Sequence, residues 1–217
     1  MTDEKPLRRL LEGVRRFHDK EFPNDHELFQ HLLSGQHPHT LFITCADSRI
    51  VPELITQTHP GELFICRNVG NIIPPFSESS CEISAVIEYA CTELRVSQII
   101  ICGHSDCGAM KGLLNAAATQ SMPAVTSWLR NASAVLEEVR KDHPELTGPQ
   151  AVQAMVEQNV LAQLDFLRQH PAVAARIAAG DINIHGWVYD IGAGTVGVFN
   201  AGETALLPSE TVLAQLQ

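Results

Sequence analysis

The chain has 217 residues, 45% hydrophobic and 18% charged, with a formal net charge of −10. That length supports one substantial core, and the acidic balance excludes a nucleic-acid-binding surface, which needs a basic patch or stripe. No apolar run of about 18 or more residues occurs, and the polar start Met1-Thr2-Asp3-Glu4-Lys5-Pro6 has no signal-peptide core, so a cytoplasmic protein with no membrane span is expected.

Leu7, Leu10, Leu11 and Val14, then Leu28, Phe29, Leu32 and Leu33, carry helical spacing. The stretch Phe22-Pro23-Asn24-Asp25 divides them into two helices, with Asn24 or Asp25 as N-cap of the second. This arm, residues 1–35 of a single domain spanning 1–217, must bury its apolar stripe on the rest of the domain or on a partner subunit. Residues 40–45 read as a buried strand, and 51–55 as a short helix with Pro52 in its first turn. Residues 62–66 form a second strand, followed by the Gly/Asn/Pro-marked loop 67–75.

Residues 79–94 predict a helix with Ile83, Val86, Ile87, Ala90 and Leu94 on one face and Ser79 or Ser80 as cap. A strand at 97–102 leads into a helix over 105–118, which Met122-Pro123 ends. Helices over 124–141 and 149–169 follow, then a short one from Pro171 to near Gly180. Residues 181–189 alternate as a strand, Gly192-Ala193-Gly194 turns the chain into a strand at 195–199, and 209–216 closes with a helix. Strands alternating with helices imply an α/β fold. Its mostly parallel central sheet is flanked by helices, with an N-terminal helical arm and a C-terminal antiparallel strand.

Six cysteines are too sparse for a disulfide scaffold. Cys66, Cys91 and Cys102 sit among apolar residues and read as core. Cys45, by contrast, ends the strand 40–45, and Gly103-His104-Ser105-Asp106-Cys107-Gly108 follows another strand. In open α/β sheets chemistry gathers at the carboxyl ends of strands. His104 and Cys107, three apart at a helix start, share one face. With Cys45 from the neighbouring strand they offer two thiolates and an imidazole, which suit Zn²⁺ and disfavour Mg²⁺, Ca²⁺ and Mn²⁺. Three ligands leave a catalytic position open; a fourth cysteine or Asp47 would close it into a structural site. Asp106 reads as a helix cap.

Asp47 and Arg49 fall on the same side of an extended segment. The planar guanidinium can then grip the carboxylate. That grip keeps Asp47 off the metal and leaves one oxygen to accept a hydrogen bond from a metal-bound water or hydroxide.

Cys45-X-Asp47-X-Arg49 with His104-X-X-Cys107 resembles the β-class carbonic anhydrases, in their plant-like bacterial branch. The likeness extends to Pro60-Gly61-Glu62-Leu63-Phe64, Arg67-Asn68-Val69-Gly70-Asn71 and His185-Gly186-Trp187-Val188-Tyr189-Asp190, and covers roughly residues 30–200. It implies one Zn²⁺ per chain on Cys45, His104 and Cys107, with the Asp47–Arg49 dyad beside it. The implied reaction is reversible hydration of CO₂ to bicarbonate and a proton by a zinc-bound hydroxide that the dyad orients. By the same resemblance Gln36 matches the amide that hydrogen-bonds bicarbonate. Phe64, Val69 and Tyr89 match the wall of a small apolar CO₂ pocket, and Gly108 matches the glycine after the second cysteine. A homodimer or a multiple of dimers is implied, with part of that wall supplied by the partner.

Some members carry an inhibitory bicarbonate site built from Trp, Arg and Tyr. The corresponding residues are Phe42, Arg67 and Tyr189. Phe cannot donate an indole N–H bond, so no such site is expected, and Arg67, Tyr189 and His185 are read as structural. Two rival roles stay open: hydrolysis of CS₂ or COS, and a non-catalytic scaffold that keeps the zinc fold. A scaffold needs the ligands but neither the Asp47–Arg49 pair nor Gln36.

Overall fold

Leu7, Leu10, Leu11 and Val14 all lie on helix α1 (Lys5–Arg16), as their spacing requires, and all are exposed. The computed structural model describes residues 5–77, 81–199 and 205–216. It divides the chain into two compact units, Met1–His37 and Pro38–Gln217. In the first unit Pro23 does not end the helical path. The chain passes through a π-helical turn, Phe17–Glu21, into α2 (Phe22–Asn24) and then α3 (His26–Leu32). Pro23 sits in a first turn, where its missing N–H removes no helical bond. Phe17, Phe22 and Phe29 hold the bend together, their ring centroids 5.0 to 6.1 Å apart. Asp25 occupies the N-cap position of α3 but makes no side-chain cap.

The second unit is organised by β1 (Thr40–Cys45), which is buried at every position, as expected for a strand with both faces covered. β1 pairs in parallel with β2 (Leu63–Asn68) and β3 (Gln98–His104). β4 (Asn183–Asp190) continues the parallel set beside β3. β5 (Thr195–Phe199) and β6 (Leu206–Pro208) add two antiparallel strands, so the order among described residues is β2-β1-β3-β4-β5-β6. The expected fold is present, with two antiparallel edge strands rather than one. β6 is three residues long, too short to leave a period in the sequence.

The helices of this unit are α4 (Pro52–Thr56), α5 (Glu82–Thr92), α6 (Gly108–Leu114), α7 (Pro123–Leu129), α8 (Ser133–Asp142), α9 (Gly148–Gln169), α10 (Pro171–Ala179) and α11 (Ser209–Gln215). Cys81 stands at the N-cap of α5; Ser79 and Ser80, expected there, lie outside the described residues. The helix expected over 105–118 is shorter. It leaves helical geometry at Asn115 (φ −127°, ψ 86°), and the chain folds back so that Thr119 packs over Gly112. The helix expected over 124–141 is broken into α7, a 3₁₀ turn at Arg130–Ala132 and α8. There Asn131 Nδ2 donates to the Trp128 C=O at 2.9 Å and Ser133 Oγ to the Arg130 C=O at 2.9 Å. Side chains that bond nearby backbone in this way compete with the helical ladder.

Leu41, Ile43, Ile99 and Ile101 join the large core with α5, α8, α9 and α10. On the other face of the sheet Phe42, Ile100 and Cys102 form a smaller cluster with Trp187 and Tyr189. Cys66, Cys91 and Cys102 are buried, as expected of small core residues. His185 Nε2 lies 2.8 Å from Gln98 Oε1 on the neighbouring strand, the structural role read for it.

Helix α9 crosses β3 and β4 at two glycines. A Cβ on Gly103 would lie 2.8 Å from Val160 Cγ2, and one on Gly186 would lie 2.8 Å from Val160 Cγ1. Gly103→Val should therefore overpack the seam beneath His104 and destabilise the protein by about 1–3 kcal/mol. Urea unfolding measures this, and an unchanged midpoint would contradict the close approach.

Candidate metal centre

Cys45 and His104 are the last residues of adjacent parallel strands, β1 and β3. The register places Thr44 opposite Cys102, and the buried Thr44 hydroxyl donates to the Cys102 C=O at 2.9 Å. His104 thus ends a strand instead of starting a helix. A tight turn brings Cys107 back beside it, with Asp106 in the left-handed region at φ +60°, a conformation Asp adopts more readily than most residues. Cys107 takes the N-cap position of α6.

The Sγ of Cys45, a ring nitrogen of His104 and the Sγ of Cys107 all lie within 4.8 Å of one another, and all three residues are buried. His104 Nδ1 is 2.9 Å from the Ser105 C=O. Nδ1 therefore carries the proton and Nε2 presents its lone pair. That Nε2 is buried with no hydrogen-bond partner, an arrangement that is unfavourable unless something else binds the nitrogen. The donor set also fits a zinc-type ion: two sulfurs and an imidazole whose other nitrogen is fixed by a carbonyl.

Electrostatics point the same way. The Cys107 thiol beside it, more than any other neighbour, lowers the pKa of Cys45, and the Gly70 N–H donates to its Sγ at 3.4 Å. Cys107 is pushed up, first by Cys45 and then by burial, while the N–H groups of Ala109 and Met110 pull it down. Two buried sulfurs this close to each other form a set to which a divalent cation binds by displacing protons. Burial pulls the His104 pKa down, but the neighbouring Cys45 sulfur outweighs it.

Asp47 and Arg49 meet in a turn, not across an extended segment; the Ile50 N–H donates to the Asp47 C=O at 3.1 Å. Arg49 grips the carboxylate with both prongs, Nε to Oδ1 at 2.9 Å and Nη2 to Oδ2 at 2.8 Å, and its backbone N–H donates to Oδ1 at 3.0 Å. The guanidinium holds the Asp47 carboxyl well below the usual carboxylate range. Asp47 Oδ2 lies 3.9 Å from His104 Nε2, so the carboxylate flanks the ligand cluster. Asp106 does not cap α6. It pairs with Lys111 and accepts from Arg49 Nη1 at 3.1 Å.

Arg67 clamps the end of β1, donating to the Cys45 C=O at 3.2 Å and the Asp47 C=O at 2.6 Å. That is the structural role read for it. The pocket residues are spread more widely. Val69 precedes the glycine that bonds Cys45, and Gly108 follows Cys107; both are exposed. Phe64 and Tyr89 pack against each other, their tilted rings 5.9 Å apart. Phe64 pairs with Leu41, four rungs before the Cys45–Asn68 pair, or about 13 Å down the strand. Within one chain they are therefore not gathered at the metal ligands. Gln36 is exposed in the segment after α3, in the other unit from the ligands. Residue types and spacing did not single out the Gly70 amide or the Ser105 carbonyl, because backbone groups leave no mark in sequence. The glycine in the marked loop 67–75 was the one available signal.

A sequence profile described as "Carbonic anhydrase" matches residues 40–196. A carbonic anhydrase from Synechocystis is 44% identical over 191 residues, covering 88% of this chain and 70% of the relative. The solved structure of the β-carbonic anhydrase CcaA superposes with a TM-score of 0.90 at 41% identity, covering 93% of this chain and 98% of that one. A structure from a study of two tetrameric β-carbonic anhydrases of Sordaria macrospora gives a TM-score of 0.82 at 28% identity, over 90% and 98% of the two chains.

Cys45→Ala should strip zinc from the purified protein, whereas Cys91→Ala, buried elsewhere in the core, should leave it. Elemental analysis of the two variants decides the ligand set; equal zinc in both would contradict it.

Proposed function

This chain belongs to the β-class carbonic anhydrase family and interconverts CO₂ and bicarbonate; we propose that one Zn²⁺ per chain sits on Cys45, His104 and Cys107, with the Asp47–Arg49 pair aiming the nucleophile. A zinc ion there supplies a water acidified toward neutral pH, less strongly than with three neutral imidazoles because two thiolates offset its charge. The observation that carries the role of Asp47 is the two-pronged grip of Arg49, with Oδ2 facing the ligand nitrogen of His104 at 3.9 Å.

Arg49 satisfies one lone pair on Oδ2, and the other remains to accept a hydrogen bond. The grip also holds the carboxylate beside the ligands instead of letting it join them. Asp47 thereby fixes where the nucleophile's proton points, and so where its lone pair is aimed, which is a positioning effect. Arg67 keeps the backbone on which Asp47 rides in place. In this reading Gln36 donates its amide to a bicarbonate oxygen, and Phe64, Val69, Tyr89 and Gly108 line the approach of CO₂, part of it across a subunit boundary.

The protein is proposed to work as a homodimer or a multiple of dimers. Tyr89 and Val69 are exposed, and so is the apolar stripe of α1, features that a second copy would cover. The six cysteines are free, which fits a reducing, cytoplasmic setting. No described helix is long and apolar enough to cross a membrane.

Two outcomes are expected from stopped-flow CO₂ hydration. Asp47→Ala should retain zinc and lose roughly 10²-fold or more in turnover; near-native turnover would remove Asp47 from the mechanism. In the unsubstituted protein turnover should climb as pH passes above neutrality, and a flat profile from mildly acidic to mildly alkaline pH would contradict the charge argument.

A further inference from the structure

Two amide side chains of α9 are enclosed, Asn159 at 1% and Gln163 at 0% exposure. Burying such groups is unfavourable unless they are bonded. Gln163 Oε1 accepts from the Ile73 N–H at 2.7 Å, and its Nε2 donates to Asn159 Oδ1 at 3.0 Å. Asn159 Nδ2 donates in turn to the Gly70 C=O at 3.0 Å. The peptide on the other side of Gly70 is held as well. The Trp128 indole N–H, from α7, donates to the Val69 C=O at 2.7 Å. The N–H of that same Val69–Gly70 peptide donates to Cys45 Sγ at 3.4 Å. Gly70 has φ +84°, and a Cβ there would stand 2.8 Å from Ala109 Cβ. Only glycine lets this peptide reach the sulfur.

We propose that Trp128 is a positioning residue of the metal centre. Its indole holds and polarises the Val69–Gly70 peptide, so that the amide draws charge from the Cys45 thiolate. Hydrogen bonds in series through one peptide strengthen each other. A hydrogen bond to a ligating sulfur weakens its donation and tunes the metal. Asn159, braced by Gln163, fixes the next peptide and with it the aim of the Gly70 N–H. This account rests on the proposed role of Cys45 as a metal ligand. It also explains why a half-buried tryptophan, 59 residues along the chain from Val69, is bonded to this loop.

The test replaces zinc with Co²⁺ in the full-length protein and reads the thiolate-to-cobalt charge-transfer band in the near ultraviolet. Trp128→Phe keeps a ring in α7 but has no N–H to donate. The sulfur then carries more charge, so the band should move to longer wavelength. Cys91→Ala should leave the band in place. An unmoved band in Trp128→Phe overturns the proposal even if stability falls, since a purely structural tryptophan would lower stability without changing the sulfur. Should Trp128→Phe fail to fold, Asn159→Leu takes the same reading, and an unmoved band there also overturns it. No thiolate-to-cobalt band at all in the unsubstituted protein would instead overturn the assignment of Cys45 as a ligand.

Discussion

The parallel pairing of β1 with β3 governs everything chemical in this protein. That pairing is set by apolar burial: Leu41 and Ile43 on one strand, Ile99 and Ile101 on the other, all fully enclosed in one core. A slip of one residue would turn these side chains to the opposite face. With the register held, Thr44 faces Cys102, and the two strands end side by side on Cys45 and His104. The hydrophobic core thus sets the positions of the candidate ligands, and Cys45 and Cys107 are themselves part of it. The glycines at 103 and 186 belong to the same design, because they let α9 lie close against β3, which carries His104, and against its neighbour β4.

Electrostatics divide the labour at the strand ends. The buried thiols and the imidazole lone pair form a site that favours a cation, since burying anionic sulfur without one is costly. Among the described residues Asp47 is the one carboxylate close to the imidazole nitrogen, and Arg49 both neutralises and aims it. An exposed ion pair of this kind contributes little to stability. Its two-pronged geometry matters for direction, because a planar fork on a carboxylate fixes the angle as well as the distance. Arg67 and the Gly70 amide serve the same end through the backbone, one holding the carbonyls of Cys45 and Asp47, the other bonding the sulfur.

What the sequence made legible were features with a chemical signature. Continuous apolar runs marked β1 and β3, and the residue types after them marked the ligands and the dyad. What it hid were features set by tertiary geometry. The three-residue spacing of His104 and Cys107 fits the start of a helix, yet the strand runs on and a left-handed Asp106 makes the turn instead. Asp106 has the propensity of a helix cap, but Lys111 and Arg49 claim its oxygens. The long helices expected after 105 and 124 are broken by local side-chain bonds and by the packing of Thr119 on Gly112. Trp128 carried no signal toward the site, since its partner is a carbonyl far away in the chain.

X-ray absorption at the zinc edge of the purified protein tests the central claim most directly. The account predicts two sulfur scatterers at about 2.3 Å and one imidazole nitrogen at about 2.0–2.1 Å, with a further light atom completing four-coordination. A shell with no sulfur, or with three or more, would contradict it.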